Sequence, residues 1–255
     1  PDKTVVNVNV QEKSTGQVNI GAGYSTSDGA LGEFGIRENN LLGRGQELKT
    51  KLTYGARRKQ IELGFTEPYF LNRDIAAGFD VYRTKRDFLR ESSYNANLKR
   101  VTLRASYSLQ EELKHSVNYS LRQTDISDVQ PEASTYIKQQ QGSNINSSVG
   151  QALTYDNRDN KFDPTKGYFF QIGQEFAGLG GNSKYLKHDV KSSYYHSFAP
   201  KWVGSVLATG GYIFGLEGKD VRINDRFFVG GDDLRGFRNA GIGPRDAATR
   251  DALGG

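Results

Sequence analysis

The chain has 255 residues, enough for one large domain or two small ones, and its 36% hydrophobic content with 14 Phe and 14 Tyr argues against wholesale disorder. No run approaches the roughly 18 apolar residues of a membrane helix, and the absence of Cys removes disulfides, thiolate zinc sites and thiol catalysis. Lys and Arg outnumber Asp and Glu by 34 to 29, a mild net charge of +5. In chain order, Val6, Val8 and Val10 alternate with Asn7 and Asn9, like the last strand of a preceding domain, and Lys13, Ser14 and Thr15 make a short linker. A sequence that opens at Pro1 and has no Met reads as an excerpt, with any signal peptide outside it.

From Gly16 the period is two nearly everywhere. Val18, Ile20, Ala22 and Tyr24 oppose Gln17, Asn19, Gly21 and Gly23. Phe34 and Ile36 oppose Glu33 and Arg37; Leu48, Leu52 and Tyr54 oppose Glu47, Lys49 and Lys51. Ile61, Leu63 and Phe65 oppose Gln60 and Glu62, and Phe79 and Val81 oppose Asp80 and Tyr82. The pattern continues through Val101 to Leu109, Val117 to Leu121, Ile145 to Tyr155, Tyr168 to Phe176, Leu186 to Phe198 and Trp202 to Phe214, giving eleven strands between Gly16 and Gly215. Helical periodicity is absent. After Gly215 come about forty Gly-, Asp- and Arg-rich residues without strand period, and a loop that long is usually functional or disordered.

Two all-β architectures fit. A soluble sandwich or barrel buries its apolar face in protein, whereas a transmembrane barrel turns it to lipid and its polar face to a lumen. Glu33, Glu47, Lys49, Lys51, Glu62 and Asp80 suit a wet lumen, and Tyr24, Tyr54, Tyr82, Tyr155, Tyr168 and Phe214 near strand ends suit interfacial girdles. The pattern favours the membrane without settling it.

Thr15 to Tyr24 is similar to the first barrel strand of the BamA family, the central subunits of bacterial outer-membrane β-barrel assembly machines. Val6, Val8, Val10 and Glu12 resemble the end of that family's last POTRA domain. Asn40 to Gly45, Thr66 to Phe70, and Asp156, Arg158, Asp159, Pro164 and Gly167 resemble its periplasmic turns. The most specific match is Arg226 to Gly231, then Leu234, Arg235, Gly236 and Phe237, then Ile242 to Pro244, which resemble the family's sixth extracellular loop. The resemblance implies a transmembrane antiparallel barrel of the sixteen-stranded type, with residues 1–13 ending a POTRA domain, 14–215 supplying strands one to eleven, and 216–255 forming the sixth loop. Leu253 to Gly255 would then approach a twelfth strand. Eleven strands leave two open edges, which hydrocarbon does not tolerate, so the excerpt should not be a functional barrel by itself.

The implied activity is folding and insertion of other barrels, without catalysis and without a cofactor or metal, in the outer membrane of a Gram-negative bacterium. Implied partners are unfolded β-barrel clients, accessory assembly lipoproteins and outer-membrane lipid. Gln17, Val18, Asn19, Ile20, Gly21, Ala22, Gly23, Tyr24 and Ser25 would form a lateral gate whose free edge templates a client strand. Gly21 and Gly23 weaken that strand, or else only relieve crowding in a curved wall. Arg235 would contact acidic residues on later strands, Gly236 would permit a tight turn, and Phe237 would wedge the tip; a solvated polar loop is the alternative. Arg57, Arg58, Lys59, Arg83, Lys85, Arg86 and Arg90 would lie in outer loops, facing lipopolysaccharide phosphates or simply water. Arg37 to Gln46 and Asp156 to Lys166 would be unusually long periplasmic connections.

Other chemistry finds no support. There is no Walker loop or dinucleotide fingerprint, and the Asp156 to Gly167 stretch lacks calcium-loop ligands at Arg158 and Lys161. His188 and His196 share a face but lie about 26 Å apart on a strand. The basic excess accompanies no nucleic-acid motif. Relatives on the same fold, such as a TamA-like factor or a two-partner secretion transporter, and a passive porin or receptor remain alternatives.

Overall fold

A computed structural model describes residues 13–231 and 233–255; Val6, Val8, Val10, Glu12 and the POTRA assignment fall outside the described residues. Alternating apolar and polar side chains give a strand one face for each environment, and the chain does this eleven times. The strands are β1 (Gly16–Ser25), β2 (Gly29–Leu41), β3 (Gln46–Gly55), β4 (Arg58–Glu67), β5 (Ala76–Asp87) and β6 (Asn95–Ser108). They continue as β7 (Leu113–Ser127), β8 (Gly142–Asp156), β9 (Gly167–Gly181), β10 (Tyr185–Ala199) and β11 (Trp202–Gly215). They form one antiparallel sheet in strict chain order.

The register explains the apolar face. Leu48, Phe65, Phe79, Leu103, Tyr119, Val149, Phe176, Leu186 and Phe214 stand in one cross-strand row from β3 to β11. A shorter row joins Ile20, Phe34, Leu52 and Ile61. Among the described residues no second layer covers these rows, and most of their members are exposed. A soluble sandwich would have to bury them; a membrane wall presents them to lipid.

The opposite face is wet and charge-paired across strands: Arg37 to Glu47 at 3.0 Å, Lys51 to Glu33 at 2.9 Å, Lys49 to Glu62 and Arg104 to Asp80 both at 2.7 Å. One end of the sheet carries the connections 42–45, 68–75, 109–112, 157–166 and 200–201. The other carries 26–28, 56–57, 88–94, 128–141, 182–184 and the long segment 216–255.

Several local expectations change. Two one-turn helices, α1 (Leu89–Ser92) and α2 (Thr135–Lys138), occupy connections where no helical period was legible. The connection after β2 is only residues 42–45, because β2 runs on to Leu41 past a register shift between Glu38 and Leu41. Tyr82 is not a girdle residue: it shares the inward parity of Asp80, and its hydroxyl lies 3.4 Å from Gln60 Oε1. Arg58, Lys59, Arg83, Lys85 and Arg86 are strand residues rather than loop residues.

Candidate functional site: a free edge and an inward loop

β1 pairs with β2 in unbroken register from Gly16↔Glu38 to Ser25↔Gly29. Its other edge pairs with nothing among the described residues, and the far edge of β11 is equally open. Gln17 to Tyr24 are all exposed, with Ile20 82% accessible. A Cβ built on Gly21 or Gly23 meets nothing within 4 Å, and neither has a positive φ. Among the described residues neither crowding nor backbone conformation demands glycine at either place. Glycine also weakens a strand entropically.

The segment 216–255 folds back against the polar face. Its first anchor is ionic. Arg122 on β7 forms an ion pair with Asp225, and their side chains are 10% and 1% exposed. Ser183 Oγ lies 3.4 Å from the same carboxylate, and Lys187 on β10 donates to the Asp225 carbonyl at 3.1 Å. The second anchor is apolar. Ile223 is fully buried in a cluster with Tyr94, Ala96, Ile126 and Ile137, flanked by Phe88, Val129, Tyr136, Phe228 and Leu253. The third is aromatic. The Phe227 ring lies 4.2 Å below Lys187 Nζ and presses on β11 where Gly211 stands; a Cβ there would be 2.3 Å from the ring. Gly211 therefore makes room for the loop.

Beyond Phe227 the segment doubles into an arm. Phe227 and Gly255 exchange backbone hydrogen bonds at 2.8 and 2.9 Å, and Ile242 donates to Val229 at 3.2 Å. The connections of neighbouring hairpins hold the arm's second half: Ser93 Oγ donates to Asp251 at 2.6 Å, Ser134 Oγ donates to Asp246 at 2.7 Å, and Ala252 donates to the Glu91 carbonyl at 2.9 Å. The Thr249 amide, together with the Ser134 hydroxyl, holds the Asp246 carboxyl below the usual carboxylate range. Gly230 is obligatory here, with φ +128° and a notional Cβ 2.0 Å from the Arg238 carbonyl. Ala252 and Gly255 are paired with Arg245 and Phe227 of the arm.

The tip carries Leu234, Arg235, Gly236 and Phe237, all exposed. Gly236 has φ +90°, the left-handed turn that glycine adopts freely. Arg235 makes no ion pair among the described residues, and Phe237 is 53% exposed. Beneath the tip a cavity of about 580 Å³ is lined by Arg57, Arg90, Glu91, Phe237 and Arg245, among others. Arg57 is a structural pin: its guanidinium donates to Glu91 at 3.0 and 2.5 Å and to the carbonyls of Ser27 and Asp87, each at 2.9 Å. The Glu91 hydrogen bond raises its pKa.

Sequence reading missed Arg122, Lys187, Ile223 and Asp225. One signal was present: Arg100 and Arg122 stand directly opposite on the inward faces of β6 and β7, and like charges so placed call for a counter-charge from elsewhere.

A single-layer antiparallel wall, apolar outside, with a long loop laid against its polar face, defines a transmembrane β-barrel protein. Residues 40–255 match the Omp85 superfamily domain, and the chain belongs to that superfamily. It is 35% identical over 252 residues to the outer membrane protein assembly factor BamA of Neorickettsia risticii, covering 98% of this chain and 34% of the relative. It is 31% identical to the BamA of Nitratidesulfovibrio vulgaris, covering 100% of this chain and 32% of that protein. The sorting and assembly machinery component 50 homolog of Homo sapiens is 27% identical over 94% of this chain and 50% of its own length. The chain thus spans about a third of the bacterial relatives and half of the animal one. Its fold matches the crystal structure of Haemophilus ducreyi BamA lacking POTRA domains 1–3, with a TM-score of 0.82 at 22% identity over 96% of this chain and 52% of that one. The barrel's place is the outer membrane of a Gram-negative bacterium.

Proposed function

We propose that the protein containing this chain folds and inserts outer-membrane β-barrel proteins, and that β1 is the strand on which clients assemble. The observation carrying this reading is the single-layer antiparallel wall with its lipid-facing apolar rows, in a chain whose relatives are named as assembly factors. An unpaired edge offers backbone N–H and C=O groups in fixed register, so an incoming strand adds by β-augmentation without any covalent chemistry. The sheet's outward apolar rows would let that strand pass into lipid as it pairs.

Glycines at positions 21 and 23 lower the stability of β1 pairing and so favour an edge that opens, which supports a lateral gate over Gln17 to Ser25. The docked segment 216–255 props the wall from inside, and Arg235 at its exposed tip presents a guanidinium fork to carboxylates on strands that follow. Accessory lipoproteins complete the proposed machine as partners. No step in the process requires a cofactor.

Cysteine substitution tests the edge: this chain has no Cys, and any Cys elsewhere in the protein is first replaced by Ser. In the full-length protein, Gln17→Cys, Asn19→Cys and Gly21→Cys should each form disulfides with a cysteine placed in the terminal strand of a client arrested during assembly. Leu103→Cys, mid-sheet on β6, should not. Absence of client cross-links along β1, or equal cross-linking at Leu103, overturns the reading.

A further inference from the structure

Strand parity divides the basic residues of the outer end into two sets. Arg58 and Arg86 point to the interior, where both approach Asp28 at 3.5 Å. Lys59, Arg83, Lys85 and Lys99 have the opposite parity, that of Ile61, Val81 and Val101, and all four are exposed on the lipid-facing side. They are the outward Lys and Arg residues of all eleven described strands, gathered on three neighbours. Lys59 stands directly opposite Lys85, and Arg83 directly opposite Lys99.

Like charges placed opposite each other on a sheet destabilise it. No ion pair reaches any of the four among the described residues. Arg83 has only a long contact to Asn97 at 3.5 Å, and Lys59 rests on the Tyr54 ring at 4.8 Å. Two outward carboxylates lie at that level: Asp125 on β7 is engaged by Asn97 at 3.3 Å and Gln123 at 3.0 Å, and Asp87 at the end of β5 accepts from the Leu89 amide at 2.8 Å and lies 3.8 Å from Arg57. The other outward acids, Glu38 and Glu67, lie at the opposite end of their strands.

Below the cations each strand turns apolar: Ile61 and Leu63 on β4, Val81 and Phe79 on β5, Val101 and Leu103 on β6. Beside them an outward groove of about 810 Å³ is floored by Ile20, Phe34, Leu52 and Ile61, and closed at its outer end by Lys59, Arg83 and Lys85. The arrangement is amphipathic, with several positive charges over a hydrocarbon surface.

We propose that this patch is a binding site for a phosphorylated outer-leaflet lipid, whose phosphates meet Lys59, Arg83, Lys85 and Lys99 while its acyl chains lie along the groove. Four cations spread over two inter-strand spacings, about 10 Å, suit more than one phosphate. The groove's floor includes Ile20 of β1, so the bound lipid touches the edge strand proposed above to receive clients. The inference rests on the outer-membrane placement with segment 216–255 facing outward, but not on assembly activity.

The test uses full-length protein purified into nanodiscs of phosphatidylcholine containing lipid A, with retained lipid A counted by native mass spectrometry. The variant Lys59→Gln/Arg83→Gln/Lys85→Gln/Lys99→Gln should retain at least about tenfold less lipid A than the parent. The charge-keeping variant Lys59→Arg/Arg83→Lys/Lys85→Arg/Lys99→Arg should retain it. So should a control that removes four exposed cations elsewhere, Arg44→Gln/Lys161→Gln/Lys166→Gln/Lys201→Gln. Dephosphorylated lipid A should bind the parent about as weakly as lipid A binds the glutamine variant. Heat-modifiable migration confirms that each barrel is folded, and single glutamine substitutions replace the fourfold one if it is not. Undiminished binding by the folded glutamine variants, equal loss in the distant control, equal retention of dephosphorylated lipid, or displacement by inorganic phosphate alone would each overturn the proposal. Client assembly is not part of the readout, so failure of the assembly reading leaves this result interpretable.

Discussion

Arg122→Ala should undock segment 216–255 while leaving the barrel folded. The substitution leaves the Asp225 carboxylate, 1% exposed, with only a 3.4 Å contact to Ser183 and no cation on its oxygens. Removing one member of a buried ion pair costs about 3–5 kcal/mol, because the stranded charge stays desolvated. At about 1.4 kcal/mol per factor of ten, the docking equilibrium falls by about two to three and a half powers of ten. Ile223 and Phe227 lose their sites only when the segment leaves, so the opening is local and the strand ladders persist. Limited trypsin digestion of the full-length protein in detergent reads this directly, since Arg222 and Arg226 are half-buried while the segment is docked. Cleavage there should accelerate about a hundredfold while heat-modifiable migration of the barrel is retained. The paired change Arg122→Met/Asp225→Leu should restore most of the protection, because it removes both charges. The reasoning fails if Arg122→Ala is protected as well as the parent, or if the paired variant opens as readily as the single one.

Three further outcomes follow from the same geometry. Ile223→Ala removes a fully buried side chain from the docking cluster and should weaken docking by about 2–5 kcal/mol, seen as faster proteolysis of 216–255 without loss of the folded barrel. Gly21→Ala with Gly23→Ala meets no steric barrier and should stiffen β1 by up to about 1 kcal/mol per site, slowing client insertion in a reconstituted assembly assay; unchanged kinetics would argue against a weakened gate. Asp159 in the 157–166 connection accepts from the Thr165 hydroxyl and from the amides of Thr165, Lys166 and Asn160, which lowers its pKa to about 2. A lowered carboxylate pKa means that this turn's stabilisation is complete above about pH 4 and lost as pH falls toward 2, so the carboxyl carbon signal of Asp159 should titrate near 2 rather than near the ordinary value.

The strands were legible because a barrel wall has one dry and one wet face, and each side chain must declare for one of them. Ile20, Phe34, Leu52 and Ile61 are on the face that their alternation assigns, and so are Glu33, Lys49 and Lys51 on the other. Tyr82 misled because aromatics serve both interfaces and lumens, and only parity with Asp80 separates the two. The runs Arg57 to Lys59 and Arg83 to Arg86 looked like loop charge, yet strand parity sends alternate members to opposite sides. Docking of the long segment was not legible, since Arg122 and Asp225 are 103 residues apart and a segment without period carries no register. The exposed Arg235 was singled out through family resemblance alone; the residues that hold the segment in place, Asp225, Ile223 and Phe227, lie just ahead of it.

The most direct test of the account is depletion of the full-length parent in its own cell, followed by quantifying several unrelated outer-membrane barrels through heat-modifiable migration. A general assembly factor predicts that all of them fall together, before other envelope proteins change. Loss of one secreted partner alone, or no change in any other barrel, would contradict it.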